Sequence, residues 1–290
     1  MRLLKAAGLI IVLATLVISP LASAATSPSL GVADRFVILS GTYSNTSGGT
    51  TLSGALGYTV PPAVAPTVNG KTHIADSVYN QAGIDQNTTL SALSSQPCTF
   101  TFAPGNIDLA SDTTHGVVGV YAPGVYCIDG AASVGGGGTI TLTGSGTYIF
   151  RMDGALTTSA NSIVTLAGGA SACDVWWTPT AATTLGADSM FVGNDIDASG
   201  ITIGSNVNWT GRALAFGGTV STTSDTINAS SCITTTDDDL PGSTTGGSSG
   251  LGAPNTGVGG QYLPAWFLSL PLGILVVAVT GLIIRRTAKR

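Results

Sequence analysis

Threonine recurs in this chain at a fixed place in a motif that is written twice. Thr183-Thr184-Leu185-Gly186 returns as Ile201-Thr202-Ile203-Gly204, and Phe191, Gly193 and Ile196 return as Trp209, Gly211 and Leu214, all eighteen positions later. Strand alternation puts Thr184 and Thr202 on the side opposite Leu185 and Ile203. Stacked strands would then carry a row of hydroxyls and methyls about 4.8 Å apart, with Thr157 as a third rung. Such a row does no covalent chemistry; it can organise whatever lies flat against it. On the next strand Phe191 and Trp209 are expected inside, leaving Met190, Val192, Asn208 and Thr210 facing out with Ser189 beside them. On a third strand Ile196 and Leu214 are expected inside, with Asp195, Asp197, Ala213 and Ala215 outside.

Catalytic and metal-binding chemistry finds little to build on. His73 and His115 have no Cys, Asp or Glu at ligand or triad spacing, which points to solvated or structural roles. Solenoid enzymes that cleave pectin need clustered carboxylates with basic residues, and the main stack offers only Arg151 and Arg212. Asp188, Asp195 and Asp197 have the oxygen chemistry for calcium but read more simply as solvated corner charges. Gly135 to Gly138 lacks the following Lys-Ser/Thr of a phosphate loop. Sequons at Asn45, Asn87, Asn208 and Asn228 would matter only in a eukaryotic secretory pathway. The reading is a non-enzyme with no cofactor and no metal.

The eighteen-residue register dictates the elements that position these rows. At about 3.3 Å per residue it traces roughly 60 Å of backbone, enough for three short strands and three corners, which is one turn of a parallel β-solenoid of triangular cross-section. Related bursts at 139–143, 147–152, 156–166 and 219–227 extend the stack. Phe36 to Leu39 and Thr51 to Leu56 look like a further coil, since Leu52-Ser53-Gly54 echoes Trp209-Thr210-Gly211. Between them and the main stack, Ile74, Ala75, Val78, Tyr79 and Ala82 have helical spacing, so an amphipathic helix is expected over about 71–83, closed by Gly83 and lying along the prism. The fold class is all-β dominated, a solenoid with one helix alongside.

The two ends speak of export. Arg2 and Lys5, an apolar run and Ala22-Ser23-Ala24 make residues 1–24 a secretory signal peptide. Residues 25–233 form the folded domain, and 234–262 form a flexible stalk too poor in apolar residues to order. Residues 263–284 are expected to span the membrane, because the apolar run 266–284 would reach about 28 Å as a helix. The basic residues at 285–290 would stay cytoplasmic. Within the stalk, Ala253-Pro254-Asn255-Thr256-Gly257 resembles a sortase sorting signal, with Ala253 where that motif has Leu. The expected location is therefore the outer face of the cell envelope, through a membrane helix or through sortase and the cell wall. Every one of the 15 acidic residues is Asp, and with the termini removed only Arg35, Lys71, Arg151 and Arg212 oppose them, which argues against nucleic acid. A monomer is expected. Cys98, Cys127, Cys173 and Cys232 suit disulfides in an exported chain; three pairings are open, and Cys98 with Cys127 and Cys173 with Cys232 is preferred.

From Leu30 to Ile227 the chain resembles the large microbial ice-binding proteins. The likeness rests on Leu30-Gly31-Val32-Ala33 leading into Phe36-Val37-Ile38-Leu39-Ser40-Gly41, on Pro123-Gly124-Val125-Tyr126, on Gly146-Thr147-Tyr148-Ile149-Phe150, on Cys173-Asp174-Val175-Trp176-Trp177, and on Gly211-Arg212-Ala213-Leu214-Ala215. It implies a discontinuous right-handed solenoid with an adjacent helix, and adsorption to ice through a flat face whose methyls and hydroxyls meet ordered water. Thr184, Thr202 and Thr157 on the first face, or Ser189, Val192, Asn208 and Thr210 on the second, are the candidate ice-binding residues. The aspartates argue against the third face. The alternative is a surface adhesin that binds glycan or another cell, using Trp176 or Trp177.

Overall fold

A computed structural model describes residues 24–230. The expected stalk, sorting-like motif, membrane span and basic tail, and the signal peptide apart from Ala24, lie outside the described residues. Among the described residues no helix is long and apolar enough to cross a membrane.

Every strand pairing is parallel, and coils stack so that equivalent residues sit in register. The repeated motif pairs as its sequence demands: Thr184 with Thr202, Phe191 with Trp209, Gly193 with Gly211 and Ile196 with Leu214. The interval is not constant along the stack. It lengthens to 27 residues between the paired Thr157 and Thr184, because the short helical turn Ala172–Asp174 and longer strands such as Ile163–Ala167 add residues at the corners.

Inside, aromatic side chains stack coil on coil. Tyr126 lies 5.1 Å from Phe150, and Phe150 lies 4.4 Å from Trp177, with ring planes within 13° of parallel. Offset stacking of this kind adds about 0.5–1.5 kcal/mol per pair to area burial.

The stack is discontinuous in sequence. Strand Phe36–Asn45 pairs with Asn208–Thr222, so the first coil sits on the last, and Thr51–Ser53 joins Thr226–Asn228. The expected echo is literal: Leu52, Ile227 and Trp209 occupy one column. Arg212 clamps this junction. It is 1% exposed, its Nη2 is 2.6 Å from the Asp34 carboxylate, and Nη1 donates to Asn194 Oδ1 and Ser230 Oγ. Burial raises the Asp34 pKa despite the guanidinium, and lowers that of Arg212.

The helix is Ser77–Ser94, not 71–83. Residues Thr72–Ile74 form a strand on Ala55–Tyr58, Ala75 takes a left-handed conformation, and Asp76 caps the helix by accepting from Tyr79 N at 2.8 Å. Gly83 does not end the helix. A Cβ there would lie 2.4 Å from the Phe216 ring, so glycine is what lets the helix approach the strand. At the far end Arg151 Nη1 donates to the carbonyls of Ser94 and Gln96, satisfying the helix terminus from the solenoid side.

Docking of this helix inverts the expected third face. Ile196 and Leu214 point outward, into a second core with Phe36, Tyr79, Ala82, Leu93 and Trp176. Ala213 and Ala215 point into the solenoid, and Asp195 and Asp197 are buried at 0% and 1% exposure. The physical reason is that alternation runs straight through the glycine corner: Trp209, Gly211, Ala213 and Ala215 share one side of strand Asn208–Thr222. The Cys98–Cys127 disulfide forms as expected, with Cα atoms 5.8 Å apart. Cys173 is also disulfide-bonded, and Cys232 lies outside the described residues.

Candidate functional site

The first face is built from three-residue strands such as Leu156–Thr158, Thr183–Leu185 and Ile201–Ile203, each buried at both ends and exposed in the middle. The middle residues align across coils. Ser133 pairs with Thr157, Thr157 with Thr184, Thr184 with Thr202, Thr202 with Ser221, and Ser221 with Ser44 of the N-terminal coil. Asp108 stands at the end of the column beside Ser133. Six hydroxyl rungs at about 4.8 Å spacing make a row roughly 24 Å long. The residues two places before three central rungs are Ala155, Ala182 and Gly200, and those two places after are Ser159, Gly186 and Gly204, so nothing bulky flanks the hydroxyls. Backbone pairing fixes each rung, because parallel ladders consume the N–H and C=O groups that would have to shift.

A corner of left-handed residues follows this face. Asn161, Asp188, Asn206 and Ser224 have φ between 58° and 62°, a conformation that Asn and Asp tolerate better than most residues. Asn206 Nδ2 donates to Asp188 Oδ1 at 3.2 Å, joining successive coils there.

Beyond the corner lies the second face, two columns wide. One column runs Thr139, Ile163, Met190, Asn208, Thr226, Thr51, Thr67. The other holds Thr141 and Thr165, then Val192, Thr210, Asn228 and Ser53. Phe191 and Trp209 fill the interior as expected, and Met190 is a large apolar side chain left outward at 52% exposure.

Thr157, Thr184 and Thr202 thus come together on one face, and Val192, Asn208 and Thr210 on its neighbour. Ser189 belongs to neither. It is 2% exposed and its hydroxyl turns back to the Gly186 carbonyl inside the corner. Trp176 and Trp177 do point to opposite sides, but both are buried, at 2% and 0%, so neither can stack on a sugar. Asn45 is likewise buried, accepting from Thr50 and Thr222. Asp188 sits at the first corner, apart from the buried Asp195 and Asp197.

Both histidines have an aspartate partner that their spacing hid. His73 Nδ1 is 2.8 Å from Asp76, and His115 Nδ1 is 2.6 Å from Asp112, each three residues away. Asp76 caps the helix and Asp112 accepts from the Thr114 and His115 backbone, so these contacts hold loops in place. Burial opposes ionisation of Asp76 and Asp112, but backbone N–H groups and the histidines outweigh it and lower both pKa values.

The rungs missed in the sequence are Ser133, Ser221 and Ser44. A signal for the first existed, since Gly130-Ala131-Ala132-Ser133 parallels Gly154-Ala155-Leu156-Thr157. The other two depend on coils whose pairing crosses most of the chain.

Known proteins resemble this chain in sequence and fold. Residues 38–228 match the Ice-binding-like family. An ice-binding protein of Nostoc sp. (strain HG1) is 31% identical over 210 residues, 69% of this chain and 73% of that protein. Among solved structures, an ice-binding protein from the Antarctic ascomycete Antarctomyces psychrotrophicus matches with 28% identity and a TM-score of 0.64, over 71% of this chain and 99% of its own. One from an Antarctic biological consortium matches with 26% identity and a TM-score of 0.62, over 73% and 96%. The matched span contains every rung of both faces, and on it this chain belongs to the Ice-binding-like family.

Proposed function

We propose that this protein adsorbs to ice through its first face and so restrains crystal growth or recrystallisation. The observation that carries the assignment is the unbroken column Ser133, Thr157, Thr184, Thr202, Ser221, Ser44. Ice is a periodic, uncharged surface of hydrogen-bonding sites. A row of identical hydroxyls held by a rigid sheet meets it without ordering cost at the moment of contact, and the threonine methyls favour caged water around them. The second face is wider, but Ile163, Met190 and Asn208 interrupt its hydroxyls. The chain is read as a binder and not a catalyst, and the crossovers as right-handed turns of a three-sided prism, the hand that almost all parallel connections take.

The export reading stands beside this one. Residues 1–24, the polar stretch 234–262 and the apolar run 266–284 followed by basic residues support display outside the cell, on a membrane helix or on the wall after cleavage at the sorting-like motif. Displayed ice binding would attach a cell to ice as well as limit ice growth.

The test is a Thr184→Tyr, Thr202→Tyr double variant, which sets two bulky rings in the middle of the row. Thermal hysteresis is expected to fall and the shape of ice crystals to change while circular dichroism and Tm stay unchanged. Full activity in this folded variant would remove the first face from consideration.

A further inference from the structure

We infer that the second face is a second ice-docking surface, so that one molecule engages two different sets of crystal planes. This rests on the reading of the first face as an ice surface and extends it around the corner.

Three observations carry the inference. None of the paired outward positions of the second face carries a charge, although Asp188 stands exposed on the corner at its edge. The face is also rich in threonine, and its threonines form two groups. Thr139, Thr141 and Thr165 lie toward one end; Thr210, Thr226 and Thr51 lie toward the other. Between the groups stand Ile163, Met190 and Val192, with Met190 protruding most. Finally, the face is continuous with the first through the same coils, so the two surfaces share one rigid backbone ladder.

Geometry then sets what the second face does. Its rungs repeat at about 4.8 Å along the stack, like those of the first face, but it adds a second column about 6.8 Å away along the strand. The two faces present different lattices to ice. They also meet at a corner, so they cannot lie flat on one crystal plane together. A molecule with both surfaces docks in two orientations, each on the planes whose spacing it fits.

The experiment marks a single-crystal ice hemisphere with fluorescently labelled protein and reads which planes light up. Wild type is expected to mark two sets. Thr184→Tyr with Thr202→Tyr should erase one set, and Thr210→Tyr with Thr226→Tyr the other, with Tm unchanged in both. Met190→Thr joins the two threonine groups and is expected to lower the concentration needed to mark the second set about twofold, by removing the protruding side chain. Marking of a single set by wild type, or a Thr210→Tyr, Thr226→Tyr pattern identical to wild type, overturns the second surface and leaves the first-face reading intact. If Thr184→Tyr with Thr202→Tyr changes nothing while the second pair erases all marking, the first-face reading is what fails, and the two-surface inference falls with it.

Discussion

Asp195 is the residue most at odds with its surroundings. It sits between Trp177 and Ala213 in the solenoid interior, and neither carboxyl oxygen makes a well-formed hydrogen bond; the Thr183 hydroxyl lies close enough to act as a weak donor and to pull the pKa down a little. Burial, and then the neighbouring Asp197, drive its pKa well above the ordinary carboxylate value. An ionised carboxylate so poorly hydrogen-bonded in such a place is costly, so folding favours the neutral acid at Asp195. Asp195→Asn supplies a neutral group of the same shape. It is expected to raise Tm by about 3 °C or more at pH 8, where burying the wild-type carboxyl costs most, and to leave Tm nearly unchanged at pH 4. An equal loss of Tm at both pH values would show that the amide cannot be accommodated and that proton uptake is not the issue.

At the scale of elements, Gly83 decides how closely the helix lies on the sheet. Alanine in a helix interior gains about 1 kcal/mol over glycine, but its Cβ would meet the Phe216 ring, and overpacking costs about 1–3 kcal/mol. Gly83→Ala is therefore expected to lose stability on balance, measured as a lower urea midpoint; a gain would mean that the ring yields freely. The same helix explains which elements were legible in the sequence. The first two faces were, because one side of each strand is wet and the other dry, so Thr184 and Leu185 differ in kind. The third was not: with a helix outside and a core inside, Leu214 and Ala213 are both apolar and the alternation is silent. The helix was misplaced for a related reason. Its second half buries Gln86 and Thr89 as well as Leu93, leaving no apolar period to read, while Ile74 and Ala75 lent theirs to a segment that is strand and turn. Ser189 turns inward like Asp195, Asp197, Ala213 and Ala215, but for a different reason: a corner serine and a strand serine look alike in sequence.

For the whole molecule, buried carboxyls set the response to acid and base. Burial raises the pKa values of Asp195 and Asp197 above their unfolded value of 3.8, and takes Asp225 to about 6. Groups with raised folded values bind protons on folding, so their contribution is fully present below about pH 4 and is lost as pH climbs through the folded values. Asp76 and Asp112, with lowered values, act the other way, and only at more acid pH. Stability measured by urea unfolding is expected to decline between pH 4 and pH 7; a rise across that window would mean that paired aspartates dominate instead. The discontinuous stack has a consequence of another kind. Repeat proteins ordinarily nucleate anywhere and grow by adding neighbours. Here Tyr43 bonds to Thr222 across 179 residues, so the earliest coil to be synthesised meets Thr67–Val68 and Thr72–Ile74 on one side soon after it is made, but has no neighbour on the other side until nearly the whole domain has been made. At ordinary rates of synthesis that wait is on the order of 10–40 s, during which Phe36 and Leu39 must be kept from other partners. Ser44, the end rung of the hydroxyl row, is among the first residues of the domain to leave the ribosome, and it cannot be set in place until the last coil arrives.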